Sequence, residues 1–378
     1  MPAETSPLAP TPLLSGPQPP APAPLSYRRT RTRTLHLAVA IDGGSGQHPP
    51  EYYVELARLA ERGALDFVTL GGGGGRDGHH GDRGRASDAL ALLARVAPAT
   101  DRIGLVPSVD AAPSSSSAAG PALDVATLDW VSGGRAGWTV TVPAEGEDGE
   151  DKDEGGRARG RDTGRGAAAR QRAAERAEAR WRRAGDAIEA AALAWDSGDG
   201  PRPPQGRPVI ALDVTEPGAR AVAARHADIA FVRAADKEQA DRIRGELRLL
   251  TAEMGRDPDR LLVLGELSVD LGGGELGWPA GMVAAPVADG AGGVLFSGGP
   301  VDLAELIADW QRSGVVDGFH VRPVEPRRDL ERFVNGTAAL LQHRGLFRSF
   351  HPGATLREHL GLRGRAGDRL AATGGVMA

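Results

Sequence analysis

The sequence predicts an α/β protein, a closed (β/α)8 barrel of parallel strands, on three observations. Eight short β-branched runs alternate strictly with Ala-, Leu- and Arg-rich stretches of helical period, as in strand–helix–strand units of a parallel sheet. The runs are apolar along their whole length, as strands are when both faces are covered. The eight units span roughly 290 residues, which suits a closed barrel better than an open doubly wound sheet.

Residues 1–34 precede the first unit. Nine prolines fall within the first 26 residues, with almost no large apolar side chains. Such a tail cannot bury enough surface to offset its ordering entropy and is expected to be disordered. It lacks the charged start and apolar core of a secretory signal, and no apolar run follows Arg28-Arg29.

The barrel is placed over 35–343. Its strands are read over 35–41, 66–70, 102–109, 135–142, 208–213, 228–233, 261–270 and 316–321. The helical stretches lie over 51–62, 87–96, 167–195, 218–226, 237–254, 303–313 and 330–343, and a further helix ends at Ser132. Ser132, Gly133 and Gly134 stop that helix, because glycine takes the left-handed C-terminal conformation without strain. Two insertions break the regularity. Residues 144–166 hold an acidic block followed by an Arg/Gly block. They read as a mobile, solvated loop after strand four, or as a lid, since loops after strands ring the active face of a barrel. Residues 272–293 form a Gly-rich insertion after strand seven, at the same end. Residues 344–378 form a C-terminal extension.

Composition excludes several functions. The net charge of −5 gives no basic field to attract nucleic acid. There are no cysteines, so disulfides, thiolate metal sites and Cys nucleophiles are absent, which fits a reducing cytoplasm. No apolar run approaches the ~20 residues that span a bilayer. Gly73–Gly78 and Gly272–Gly277 match G-x-G-x-x-G, but neither opens an apolar helix, so neither reads as a dinucleotide fingerprint. His79-His80 sit in a Gly-rich loop where adjacent ligands are poorly preorganised, and no metal site is predicted. His226 and His343 close helices, where the dipole favours an imidazolium. His320 follows Phe319 in strand eight, and alternation turns it toward the barrel interior or mouth.

The stretch Ala126-Thr127-Leu128-Asp129-Trp130-Val131-Ser132-Gly133-Gly134-Arg135-Ala136-Gly137-Trp138 carries the most specific signal. Further motifs are Tyr52–Gly63, Arg180-Trp181-Arg182-Arg183-Ala184, Pro204–Val209, Ala224–Asp228, Asp317-Gly318-Phe319, Arg344–Arg348 and Thr355–Leu362. Together they resemble the bacterial luciferase-like flavin-dependent monooxygenases, in particular the nitrilotriacetate-monooxygenase-like branch, over about 35–362. The resemblance implies a luciferase-like TIM barrel that uses reduced FMN, supplied by a separate flavin reductase, and oxygen to oxidise a small organic substrate. It also implies an assembly of two copies in the cytoplasm.

The same resemblance points to flavin-contacting positions, and several have changed. The family Asp after strand two falls at Gly72, the strand-three Thr at Ser108, and the strand-four Asn at Thr139. The helix Tyr becomes Trp181, and the His four residues earlier falls at Ala177. After strand five, where the family binds phosphate at a helix N-terminus, stand Asp213, Val214, Thr215 and Glu216. Thr215 keeps a hydroxyl; Asp213 and Glu216 would repel a phosphate if aimed at it. The implied cofactor-binding residues are Ser108, Thr139, Trp181, Thr215 and His320, with no catalytic residue assigned. Ser108, Thr139, Trp181 and His320 are expected to share one cavity. A silent barrel used for binding or assembly, and a deazaflavin-dependent oxidoreductase, are the alternatives.

Overall fold

The computed structural model describes residues 34–42, 48–71, 82–111, 120–142, 163–197, 202–275, 285–289 and 292–362. In chain order the strands are β1 (His36–Ala40), β2 (Phe67–Leu70), β3 (Gly104–Asp110), β4 (Gly137–Thr141), β5 (Val209–Asp213), β6 (Ile229–Val232), β7 (Leu262–Asp270), β8 (Val287–Ala288), β9 (Val294–Ser297) and β10 (Gly318–Pro323). Strands β1 to β7 pair in sequence order, and β10 pairs with both β7 and β1. Those eight strands are parallel and close the predicted barrel, the TIM architecture.

The outer layer comprises α1 (Pro50–Arg62), α2 (Asp82–Val96), α3 (Gly120–Ser132), α4 (Thr163–Ser197), α5 (Pro217–His226), α6 (Lys237–Glu253), α7 (Pro300–Ser313) and α8 (Pro326–Arg332). Four of these open on a proline, whose fixed φ suits the first turn and whose missing N–H is not needed there. Helix α8 runs through a π-helical stretch, Phe333–Ala338, into α9 (Ala339–His343). The stretch lets α7 come close: a Cβ on Gly336 would lie 2.5 Å from Pro300, and Thr337 donates to the Pro300 carbonyl.

Two expectations change. Residues 163–166, assigned to a mobile loop, already belong to α4; a long Ala-rich helix, once nucleated, propagates past weak formers such as Gly164 and Gly166. The rest of that loop, 144–162, lies outside the described residues, as do 1–33. The Gly-rich insertion after β7 is not wholly irregular either, since β8 lies within it and pairs antiparallel to β9. Strand β6 pairs with β7 only as far as Gly265. Beyond that point β9 takes up the free edge at Ser268–Asp270.

The lower rim of the barrel, at the strands' N-terminal ends, repeats one device three times. Asp66, Asp228 and Asp317 each immediately precede or open a strand and are buried. Each accepts a backbone N–H from the neighbouring strand, of Leu37, Ile210 and Val263 respectively. Each is then paired with an arginine, Arg348, Arg357 and Arg244. Burial pushes the Asp66 carboxyl up, but the charges of His36 and Arg348 outweigh it and hold it at about 2.

Two of those arginines come from the segment after α9. This segment carries α10 (Leu356–His359) and closes the barrel from below. Leu356, Leu360 and Leu362 are buried in one cluster with Phe67, Val106 and Phe231 of the barrel interior. A Cβ on Gly104, at the lower end of β3, would lie 2.6 Å from Leu356. The lower lumen is thus a packed core, and only its upper end can hold a site.

Candidate active site

The upper end is defined by alternation. On β3, Gly104 and Val106 face the lumen, so Ser108 and Asp110 do too. On β4, a Cβ on Gly137 would touch Val106 and Leu356, so Thr139 and Thr141 face inward. Ser108 and Thr139 are register partners on adjacent strands. Both are buried, and neither Ser108 Oγ nor Thr139 Oγ1 has a hydrogen-bond partner among the described residues. Buried hydroxyls are normally satisfied, because leaving one unpaired costs about 1–3 kcal/mol. Two adjacent ones, one turn of the pleat below the mouth, leave hydrogen-bonding capacity that no described residue takes up.

Above them, aspartates end alternate strands: Asp42 just past β1, then Asp110, Asp213 and Asp270. Each is tied locally. Asp42 accepts from the Gly71 N–H, Asp110 from Thr141, Asp213 from Thr215, and Asp270 from the Gly272 N–H.

The other half of the lumen holds a charged network. His320 lies inside the barrel, its Nε2 2.9 Å from Thr69 Oγ1 and its Nδ1 3.1 Å from Glu266 Oε2. Its ring stacks on Phe231 at 4.5 Å and Phe67 at 6.4 Å. Arg233 donates from Nε to Glu266 at 2.8 Å and also pairs with Asp213. Arg322 stands 4.0 Å from Glu266. Burial pushes the Glu266 carboxyl up; the His320 hydrogen bond and charge, then Arg322 and Arg233, outweigh it and hold it well below the usual carboxylate range.

The remaining expected site residues sit elsewhere. Trp181 packs in the helix layer, not among the lumen side chains. Its Nε1–H donates to Glu216 Oε2 at 2.8 Å, and a Cβ on Gly218 would meet its ring at 2.7 Å. Helix α4 crosses the first turn of α5 there, so the ring is used for packing. Thr215 is exposed, and both its N–H and hydroxyl donate to Asp213. Neither carboxylate near α5 is a bare negative charge: Glu216 is paired with Arg180 and Asp213 with Arg233. The α5 N-terminus has no side-chain cap. Gly72, His79 and His80 lie outside the described residues, and no metal-binding cluster occurs among the described ones.

Thr69, Glu266, Arg233 and Arg322 went unnoticed in the sequence. One signal was present: Glu266 is the one charged residue between Leu262 and Val269, and a buried charge there needs a partner.

The barrel, its blocked base and its polar upper lumen can be compared with known proteins. The family model for luciferase-like monooxygenases matches residues 30–271. The chain belongs to the luciferase-like monooxygenase family. N-acetyl-S-(2-succino)cysteine monooxygenase of Bacillus subtilis (strain 168) is 24% identical, over 82% of this chain and 90% of that protein. Nitrilotriacetate monooxygenase component A of Aminobacter aminovorans is 25% identical, with the same shares covered. Among solved structures, EDTA monooxygenase from Chelativorans sp. BNC1 superposes with a TM-score of 0.65 at 18% identity, over 88% of this chain and 99% of that one. That likeness is one of fold. As a luciferase-like monooxygenase the chain is an enzyme whose relatives oxidise small molecules by name. No helix among its described residues is long and apolar enough to cross a membrane.

Proposed function

We propose that this luciferase-like protein is an FMN-dependent monooxygenase, cytoplasmic, that takes reduced flavin from a separate reductase and oxidises a small organic substrate with oxygen. The observation that carries the reading is the pair of unpartnered hydroxyls, Ser108 Oγ and Thr139 Oγ1. A flavin ring presents carbonyl and N–H groups along one edge, and hydroxyls both donate and accept. When bound, reduced flavin would supply the electrons that activate oxygen, and the protein would supply the dry pocket and the hydrogen bonds. The phosphate end also fits. Arg180 and Arg233 neutralise Glu216 and Asp213, and no side chain caps the α5 N-terminus, whose dipole favours an anion. Thr215 and the first turn of α5 would hold that phosphate, with Trp181 shaping the turn from behind. A separate reductase is in keeping with the "component A" in the name of the nitrilotriacetate relative. Two copies would pair through α3, which leaves Leu123, Trp130 and Val131 exposed at helical spacing.

Stopped-flow mixing of anaerobic protein and reduced FMN with oxygenated buffer tests the activity. Reoxidation is expected to be slowed or split into phases by the protein, relative to free flavin. Reoxidation identical to that of free flavin, with saturable binding of a reduced deazaflavin, supports the deazaflavin alternative. Identical reoxidation with neither cofactor bound supports the silent barrel.

A further inference from the structure

We propose that Glu266, His320 and Thr69 form a buried proton relay whose open end, the Thr69 hydroxyl, lies beneath the site marked by Ser108 and Thr139. The proposal rests on that site being the reactive one.

The geometry gives each residue a role. Three strands contribute, with Thr69 on β2, Glu266 on β7 and His320 on β10, and all three side chains are buried. Glu266 can only accept, so His320 Nδ1 must carry the hydrogen it shares with that carboxylate. This fixes the neutral tautomer and leaves Nε2 as the acceptor for the Thr69 hydroxyl at 2.9 Å. A carboxylate, an imidazole and a hydroxyl in that order are the arrangement by which a carboxylate orients a base and steadies its cation. Stacking on Phe231 and Phe67 holds the ring plane, and aromatic faces favour an imidazolium.

The relay opens upward. Just past β2 the chain leaves the strand at Gly71, φ +92°, where a Cβ would meet Ala89 Cβ of α2 at 3.1 Å and Ser108 Cβ at 3.5 Å. Register sets Thr69 beside Val106, so Ser108, two positions further along β3, stands one inward level above Thr69 on the neighbouring strand. A ligand O–H or N–H seated there can give its proton to the Thr69 oxygen as the Thr69 proton passes to His320 Nε2. The ligand gains one negative charge, and the imidazolium formed is balanced by Glu266. The charged groups around the ring are Glu266 on β7, Arg322 on its own strand, Arg233 on β6 and, through Arg233, Asp213 on β5. Strand β1 presents Ala38 in register with His320 and adds no charge. Glu266 is the positioning residue. The hydrogen bond and charge of His320, then Arg322 and Arg233, outweigh burial and keep it ionised, so it remains an acceptor.

Two readouts test the relay. In the first, Thr69→Val, which keeps the shape and removes the hydroxyl, should lower the flavin-dependent rate roughly 100-fold, the low end for lost acid–base catalysis, with Tm close to that of the parent. Thr69→Ser should restore most of the rate, and Glu266→Gln should move the acid limb of the pH–rate profile to lower pH. A Thr69→Val enzyme with parental rate and pH profile overturns the relay. The second readout is independent of turnover. 15N NMR of histidine-labelled protein should show His320 as the Nδ1–H tautomer, switching or averaging in Glu266→Gln. An Nε2–H tautomer in the parent overturns the proposal even if flavin turnover is absent, whereas absent turnover with the Nδ1–H tautomer counts against the monooxygenase reading alone.

Discussion

A chain ending at His343 is expected not to fold. The eight barrel strands would all be present, but the base would be open. Truncation removes Leu356, Leu360 and Leu362 from the inner core, and buried Leu side chains cost about 2–5 kcal/mol each when cut back to Ala. It also removes Arg348 and Arg357, so that buried Asp66 keeps only His36 and buried Asp228 loses its arginine. Orphaning one member of a buried pair costs about 3–5 kcal/mol. These losses together exceed the stability of about 5–15 kcal/mol typical of a whole domain. Far-UV circular dichroism in a urea titration checks this, with Leu356→Ala as a graded comparison that should stay folded but unfold at lower urea. A cooperative transition in the truncated chain would show that the plug is dispensable.

Acid should weaken the same end of the molecule. His359 on α10 is buried, and neither ring nitrogen has a partner among the described residues. Burial, then the neighbouring His351, hold its pKa down at about 4 against an ordinary 6.5. Between those values the unfolded chain takes up a proton that the folded chain refuses. The His359 contribution to stability is therefore complete above pH 6.5 and is lost as pH falls toward 4. Asp129 works the other way. Burial raises its carboxyl from 3.8 to about 6, so its contribution is complete below 3.8 and is lost as pH rises through 6. The readout is thus the difference between variants. His359→Leu should narrow the gap between urea midpoints at pH 7 and pH 5, and an unchanged gap would mean that His359 is not the acid-sensitive group.

Much of the barrel could be read from the sequence because its signals are local. The Ser132-Gly133-Gly134-Arg135-Ala136-Gly137-Trp138 run is the clearest case, and the structure accounts for its strength. Gly133 and Gly134 take positive φ at 68° and 92°. Arg135 donates to the carbonyls of Ala97, Thr100, Ile103 and Ser132, and Asp129 accepts from the Ala136 N–H and from Gln205. Trp138 donates to Val109 and packs edge-on against Trp195. The most informative motif is therefore the fastening of the α3–β4 turn, and of its residues only the inward face leading to Thr139 reaches the site.

The site itself was half legible. Alternation along a strand turned His320 toward the interior, which needs no knowledge of partners, while Ser108 and Thr139 came from the resemblance alone. Trp181 was misplaced because a helix residue's target depends on how α4 crosses α5, which sequence spacing does not encode. The sequence likewise showed Asp213 and Glu216 as negative charges near a phosphate site but not the cations beside them. Their partners Arg233 and Arg180 lie 20 and 36 residues away in the chain, and only the fold brings them together. The Thr69–His320–Glu266 chain joins residues up to 251 apart and left a single trace, the one charge between Leu262 and Val269.

The central claim is that the unpartnered hydroxyls of Ser108 and Thr139 receive the flavin ring. An anaerobic fluorescence titration with reduced FMN, on the parent and on Ser108→Ala/Thr139→Val, tests it most directly. Two hydrogen bonds at about 0.5–1.5 kcal/mol each predict saturable binding by the parent and a Kd roughly five- to 150-fold weaker in the variant, with no loss of Tm because neither hydroxyl has a partner among the described residues. Equal affinities, or no saturation of the parent at millimolar FMN, would contradict it.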